Sequence, residues 1–349
     1  MDSVKTDGLS AGGELFLHPH IFCHLRKKST QTAAGQRSDY TNKKTLERHI
    51  VIDHIRISVI IPTLNAGNEI ECLLGKLQAQ TVKPDEIIII DSDSNDNTVE
   101  ICSSFENVRI IRINREEFDH GRTRDTALRN STGDIIVFMT QDAVPYDDKL
   151  IHNLIQPLDT DDVVVSTGRQ MAKNNASETE RLFREFNYPE KSAVRNSSRL
   201  SELGIKTFFC SDVCAAYKKK QYIEIGGFEY PIKTNEDMFF AARAIQAGYS
   251  VAYAAEAKVY HSHNFTIKEQ FKRNFIQGYE MEKHRELLKN VNPTGEGMKL
   301  VKYVIRRLLP EMHFISIIHF IADCGARLLG SKLGRKAYIR DRRKIKAVR

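Results

Sequence analysis

Residues 134–145, DIIVFMTQDAVP, run five apolar residues straight into Thr140, Gln141 and Asp142. An unbroken apolar run bounded by polar residues is the pattern of a strand buried on both faces. Asp142 then stands at the carboxyl end of that strand, where open α/β sheets take their ligands. Asp and Pro are also ordinary turn residues, so the stretch alone leaves a plain turn open. Its neighbours weigh against the turn.

Upstream, strand and helix patterns alternate. ISVIIP (57–62) reads as a buried strand, NAGN as a turn and EIECLLGKLQAQ as a helix. The strand EIIIID (86–91), the polar loop SDSNDN and a short helix from Thr98 follow. VRIIRI (108–113) is a third strand, and GRTRDTALRNS a helix closing at Gly133. This rhythm predicts right-handed βαβ units, hence an α/β fold with a mostly parallel central sheet flanked by helices.

Beyond residue 150 the rhythm loosens. DVVVST predicts a strand, SETERLFREFNY a helix, and residues 189–206 an irregular loop. A strand and helix follow, ending at Gly226 and Gly227, then the capped helix TNEDMFFAARAIQAGY and a strand or hairpin arm, SVAYAAEAKVYHSH. From Ile267 a helical pattern returns, with Phe271 and Phe275 on one face. Residues 1–55 show no sustained period and read as a mobile extension; 56–290 form the main domain and 291–349 a basic, amphipathic helical tail.

The 349 residues, 41% hydrophobic and 28% charged, are enough for a sizeable core. No leader peptide and no long uncharged apolar span is read, and six scattered cysteines match no zinc spacing, so a reducing cytoplasm fits. The net charge of +7 is uneven: residues 299–349 hold 14 Lys or Arg against three acids, leaving −4 on everything before them. A domain-wide nucleic-acid footprint is therefore excluded, while an anionic partner for the tail is not. Helices packed on the main domain and a segment lying on an anionic membrane surface are both open for the tail.

Polar clusters gather at the predicted strand ends: Thr63 and Asn65, Asp91 to Asp96, Asp142, and His261 with His263. A further pair, Glu236 and Asp237, opens a helix. Each has a bland explanation. Acids at helix starts are routinely caps, and a strand-end His is more commonly packed than ligating. Convergence on one rim of one sheet is what favours chemistry.

ISVIIPTLNAGNEI, IIIIDSDSNDNTVEI, GRTRDTALRNSTGDIIVFMTQDAVP and IGGFEYPIKTNEDMFFAARAIQAGY, in that order, resemble the successive signatures of family 2 glycosyltransferases with the GT-A fold. FDHGRTRD, TQDA and VYHSHN look most like the bacterial rhamnosyltransferase branch. The resemblance implies an inverting, metal-dependent transferase that takes a nucleotide-diphosphate sugar, foremost dTDP-L-rhamnose, to a glycan or lipid-linked glycan acceptor at the inner face of the membrane. UDP-galactofuranose, a UDP-hexose, or a silent nucleotide-sugar scaffold are the alternatives. A dinucleotide-dependent oxidoreductase is disfavoured, because PTLNAGNE lacks the glycine-rich pyrophosphate turn.

The same resemblance implies the roles. Asp142, with His261 and His263, would hold Mg2+ or Mn2+ against the departing diphosphate. The family usually has two acids one residue apart here, and Thr140 stands at the first. Pro62, Thr63, Asn65, Asp91, Asp93, Arg124 and Gln141 would line the nucleotide. Asp237 is the implied general base, with Glu236 beside it to orient the acceptor or cap the helix.

Overall fold

The computed structural model describes residues 55–289, 291, 294–310 and 312–348; apart from Ile55, the expected N-terminal extension lies outside them. The first half is the predicted alternation: β1 (Ile57–Thr63), α1 (Ile70–Gln78), β2 (Glu86–Asp91), α2 (Thr98–Ser103), β3 (Val108–Arg112), α3 (His120–Arg129) and β4 (Ile135–Met139). The four strands are parallel in the order β3-β2-β1-β4. Every residue of β4, and Ile87 to Ile90 of β2, is buried, as their unbroken apolar runs require. Each such side chain contributes roughly 1.5–3 kcal/mol.

The second half comprises β5 (Val144–Pro145), α4 (Leu150–Ile155), β6 (Val163–Met171), α5 (Glu178–Asn187), β7 (Ala193–Arg195), α6 (Leu200–Leu203), β8 (Cys214–Lys218), α7 (Lys219–Glu224), α8 (Glu236–Gln246), β9 (Ser250–Tyr260), α9 (Ile267–Lys283), α10 (Thr294–Leu308) and α11 (Phe314–Val348). Among the described residues one nine-stranded sheet runs β3-β2-β1-β4-β8-β6-β9-β5, with β7 on β9. The expectation of a mostly parallel sheet holds through β4 and gives way to mixed pairing beyond it. β8 is antiparallel to both β4 and β6, and β9 is parallel to β6. One reversed strand therefore restores the direction: β6 and β9 end at the same rim as β1, β2 and β4, and β8 begins there. The segment expected to be irregular, 189–206, contains β7 and α6.

Core residues cover both faces. Leu73, Leu77, Ile151 and Leu154 pack on one side; Leu128, Tyr222, Phe240 and Ile245 pack on the other. Pro310 falls in the break between α10 and α11. The two tail helices belong to the same compact unit as the sheet, Asp53–Arg349. Val304, Leu308 and Phe320 pack with Leu182 of α5. α11 lies against α9 at backbone distance: a Cβ on Gly330 or Gly334 would overlap the carbonyl oxygens of Phe271 or Phe275, and one on Gly278 the carbonyl of Ser331.

Within Phe314–Lys344 of α11 an 18-residue stretch is apolar enough, by length and composition, to cross a membrane, with mean hydropathy 1.3 and 11% of it buried. Asp323 and Arg327, one helical turn apart in α11, pair with each other at 2.6 Å.

Candidate active site

The expected convergence takes place at the rim described above. Asp142 follows β4, and His261 and His263 follow β9. Asp142 Oδ2 lies 3.3 Å from His261 Nε2 and 3.2 Å from His263 Nε2, and the two nitrogens are 3.1 Å apart. Adjacent corners of an octahedron with metal–ligand distances of 2.0–2.1 Å are roughly 3 Å apart, so these three atoms fit one face of a metal's coordination shell. Gln170, near the end of β6, fixes the arrangement. Its Oε1 accepts from Arg184, which can only donate, and lies 2.9 Å from His261 Nδ1. Nδ1 then donates to Gln170, which orients the ring with Nε2 towards Asp142. Burial pushes the Asp142 carboxyl up, but hydrogen bonds and charge from the two histidines outweigh it and hold the group far below the usual carboxylate range. Burial lowers the His261 pKa, against the pull of Asp142. Thr140, where a second acid would stand, has a buried hydroxyl oxygen with no hydrogen-bond partner among the described residues.

Across a shared cleft of about 750 Å3 lies Asp237, in the first turn of α8. Asn235, at φ 65°, turns the chain into that helix. Asp237 Oδ2 accepts from the Asp212 N–H at 3.0 Å, and its Oδ1 from the Met238 N–H at 2.7 Å. Asp237 is half-buried and lines the cleft. Burial, then the neighbouring Glu236, raise its pKa to about 7, with the two N–H groups opposing.

Asp212 is a site residue that sequence reasoning missed. It lies two residues before β8, and because that strand runs antiparallel, its entrance rather than its exit lies on the functional rim. An acid just before a strand, in SDVCAAY, was the available signal. Its Oδ1 accepts from Tyr217 Oη at 2.6 Å, and burial and then the Asp237 charge push its pKa well above the ordinary range. Arg124 stands between Glu236 (3.2 Å) and Asp212 (3.5 Å), fully enclosed, the latter pair unaligned for a hydrogen bond. His120 lies 3.8 Å from Glu236. Arg124 and Glu236 are thus bound to each other in the Asp237 half of the cleft.

The remaining nucleotide candidates assemble separately, at β1 and β2. Thr63 is paired in register with Asp91, and its hydroxyl donates to Asp91 Oδ1 at 2.9 Å. Ser94 donates to Asp91 through both N–H and hydroxyl. Asp91 and Asp93 line a cavity of about 380 Å3 with Ser94 and Arg112, and Arg124 is not among its walls. Pro62 sits in β1 opposite Ile90. Asn65, at φ 50°, accepts from the Asn95 N–H, knitting the two loops together. Gln141 binds the Leu64 backbone at both its amide atoms and lines the larger cleft.

A ligand rim of this kind, on a sheet that opens with a 3-2-1-4 parallel order, defines an α/β transferase of the GT-A type. Relatives agree. The profile described as glycosyl transferase family 2 matches residues 58–226. The O-antigen chain rhamnosyltransferase RfbN of Salmonella typhimurium is 39% identical over 80% of this chain and 90% of its own length, and WbaN of Salmonella anatum is 37% identical over 80% and 89%. The fold is shared, at 15% identity and a TM-score of 0.56, with a Pyrobaculum calidifontis mannosyltransferase solved in complex with GDP-Man and Mn2+, over 82% of this chain and 87% of that one. The chain belongs to glycosyl transferase family 2 and is a glycosyltransferase.

Proposed function

We propose that the enzyme transfers L-rhamnose from dTDP-L-rhamnose to an acceptor hydroxyl, with inversion, in the synthesis of a bacterial cell-surface polysaccharide. One observation carries this reading: the Asp142–His261–His263 triad and Asp237 face one cleft, in a chain 39% identical to a rhamnosyltransferase. Asp142, His261 and His263 would hold a divalent cation, and two imidazoles beside one carboxylate suit Mn2+ better than Mg2+. When bound, that cation supplies the positive charge that the leaving diphosphate needs. Asp91, Asp93, Thr63, Pro62, Asn65 and Gln141 form the nucleoside side.

Asp237 takes the proton of the attacking hydroxyl, and its raised pKa makes it a stronger base than an ordinary aspartate. The Asp212 N–H aims that carboxylate, and Arg124 neutralises the surrounding acids. A single base facing the leaving group implies direct displacement, hence inversion. The test is donor breakdown without acceptor. With Mn2+ present, dTDP release from dTDP-L-rhamnose should exceed nucleotide release from UDP-galactofuranose or a UDP-hexose by roughly 10²-fold. Faster breakdown of a UDP-sugar would replace the donor, and binding without any turnover would leave only a scaffold.

We assign the enzyme to the cytoplasm, at the inner membrane face. The exposed side chains of Ile315, Ile318 and Ile321 and the basic end of α11 support this. The full chain should float with anionic liposomes, and an Ile315→Glu/Ile318→Glu variant should lose most of that binding. Equal flotation would remove the assignment.

A further inference from the structure

In the sheet β6 stands between β8 and β9, flanked on one side by the strand that follows Asp212 and on the other by the strand that leads to His261. Two polar residues of β6 face this junction. Thr167 is paired in register with Ala215 of β8, and Gln170 with Val259 of β9. Both are buried, at 0% and 2% exposure. A carboxamide and a hydroxyl so enclosed must be hydrogen-bonded to be tolerated, and their partners decide what they do.

The Gln170 carboxamide has partners at both ends. Its Oε1 lies between His261 Nδ1 and the Arg184 guanidinium, and its Nε2 donates to Ser211 Oγ at 2.9 Å. Arg184 fixes which end is which, because an amide turned over would set two donors against each other. A carboxamide is also planar, so its oxygen and nitrogen cannot be displaced separately. Whatever orients the His261 ring through Gln170 therefore also orients Ser211.

Ser211 leads directly to the base. Its N–H donates to Thr167 Oγ1 at 3.3 Å, and Thr167 Oγ1 donates back to the Ser211 carbonyl at 3.2 Å. That carbonyl and the Asp212 N–H belong to one planar peptide, so holding the first directs the second. The Asp212 N–H is the group that donates to Asp237 Oδ2 at 3.0 Å. The chain from metal ligand to base is thus unbroken, running from His261 through Gln170, Ser211 and the 211–212 peptide to Asp237.

We propose that Gln170 is a positioning residue that couples the metal triad to the base. Its oxygen sets the His261 ring, and its nitrogen sets the peptide that aims Asp237. This rests on the glycosyltransferase reading above and adds that the two halves of the cleft are held in one geometry through β6. Partners behind a metal ligand typically matter by about 10–100-fold in metal affinity, and a reacting group misplaced by about 1 Å can cost about 10²-fold in rate.

The test uses the full-length chain carrying Gln170→Met, Gln170→Glu, Ser211→Ala, or Gln170→Met with Ser211→Ala. Mn2+ affinity is read by electron paramagnetic resonance without sugar nucleotide, and transfer is measured at saturating Mn2+ and donor. Gln170→Met should weaken Mn2+ binding about tenfold or more and lower the saturated rate about tenfold. Gln170→Glu keeps an acceptor for both His261 and Arg184, so its Mn2+ affinity should return to within about threefold of the parent. Ser211→Ala should leave Mn2+ affinity within about twofold of the parent yet lower the rate about tenfold. The double variant should transfer no more slowly than Gln170→Met, because the link to Ser211 is already cut.

Parent-like Mn2+ affinity in Gln170→Met, or a loss that Gln170→Glu does not restore, would overturn the role at the triad. A parent-like rate in Ser211→Ala would overturn the role at the base. A double variant whose rate loss is the product of the two single losses would show separate action and overturn the coupling. A parent that turns over no sugar nucleotide would count against the transfer reading alone, and the Mn2+ measurements, which need no donor, would then decide the assignment.

Discussion

Asp237→Asn is expected to lower sugar transfer by about 10²–10⁴-fold while leaving donor affinity within a factor of about two, because only proton removal is lost. Initial rates with saturating donor, alongside dTDP-sugar titrations, would show this. A parent-like rate would remove Asp237 as the base. The raised pKa adds two independent signatures. The parent rate should climb through about pH 7 as the carboxyl ionises, a limb belonging to the coupled Asp237–Asp212 group rather than to one residue.

Stability should move oppositely. The folded-state pKa of about 7 lies above the ordinary value of 3.8, so between those pH values the folded protein keeps a proton that the unfolded chain has released. Stability is then fully present at low pH and falls as pH rises towards 7. Asn cannot ionise, and it loses one of the two N–H acceptors at every pH, so its stability relative to the parent should rise by roughly 1–3 kcal/mol between pH 4 and pH 8. Denaturant titrations at the two pH values would measure it.

Asp142→Ala should be the more severe change for activity. It removes the one carboxylate of the triad and leaves two imidazoles whose Nε2 atoms face each other at 3.1 Å. Mn2+ affinity should fall by about 10²-fold or more and transfer by about 10³-fold, with the pH limb near 7 unmoved in whatever activity remains. Mn2+ titration by electron paramagnetic resonance gives the first figure directly. Asp142→Glu, with the carboxylate kept but displaced by a methylene, should recover part of the metal affinity and little of the rate. Undiminished Mn2+ binding in the Ala variant would show that the ion is held elsewhere.

The parallel half of the sheet was readable because EIIII and IIVFM can only be strands buried on two faces. Asp142, Asp237 and the two histidines were readable as candidates for a related reason, since each stands where an element starts or stops. Asp212 was hidden by strand direction: a run of apolar residues does not say which end meets the rim. Arg124 was expected among the nucleotide contacts because nothing local reveals the two acids, 88 and 112 residues further on, that enclose it. In each case the missing information was a long-range contact, to which local periodicity is blind.

The glycine contact between α9 and α11 has a practical corollary for cutting the chain. A fragment stopped at residue 290 would keep the whole sheet and the metal triad, yet strip the covering from Gly278 and from the main chain at Phe271 and Phe275. α9 also carries the cap that follows the histidines, so fraying it would loosen the segment that bears them. Any shortened version meant to preserve the catalytic rim has to retain the last long helix at least through Gly334.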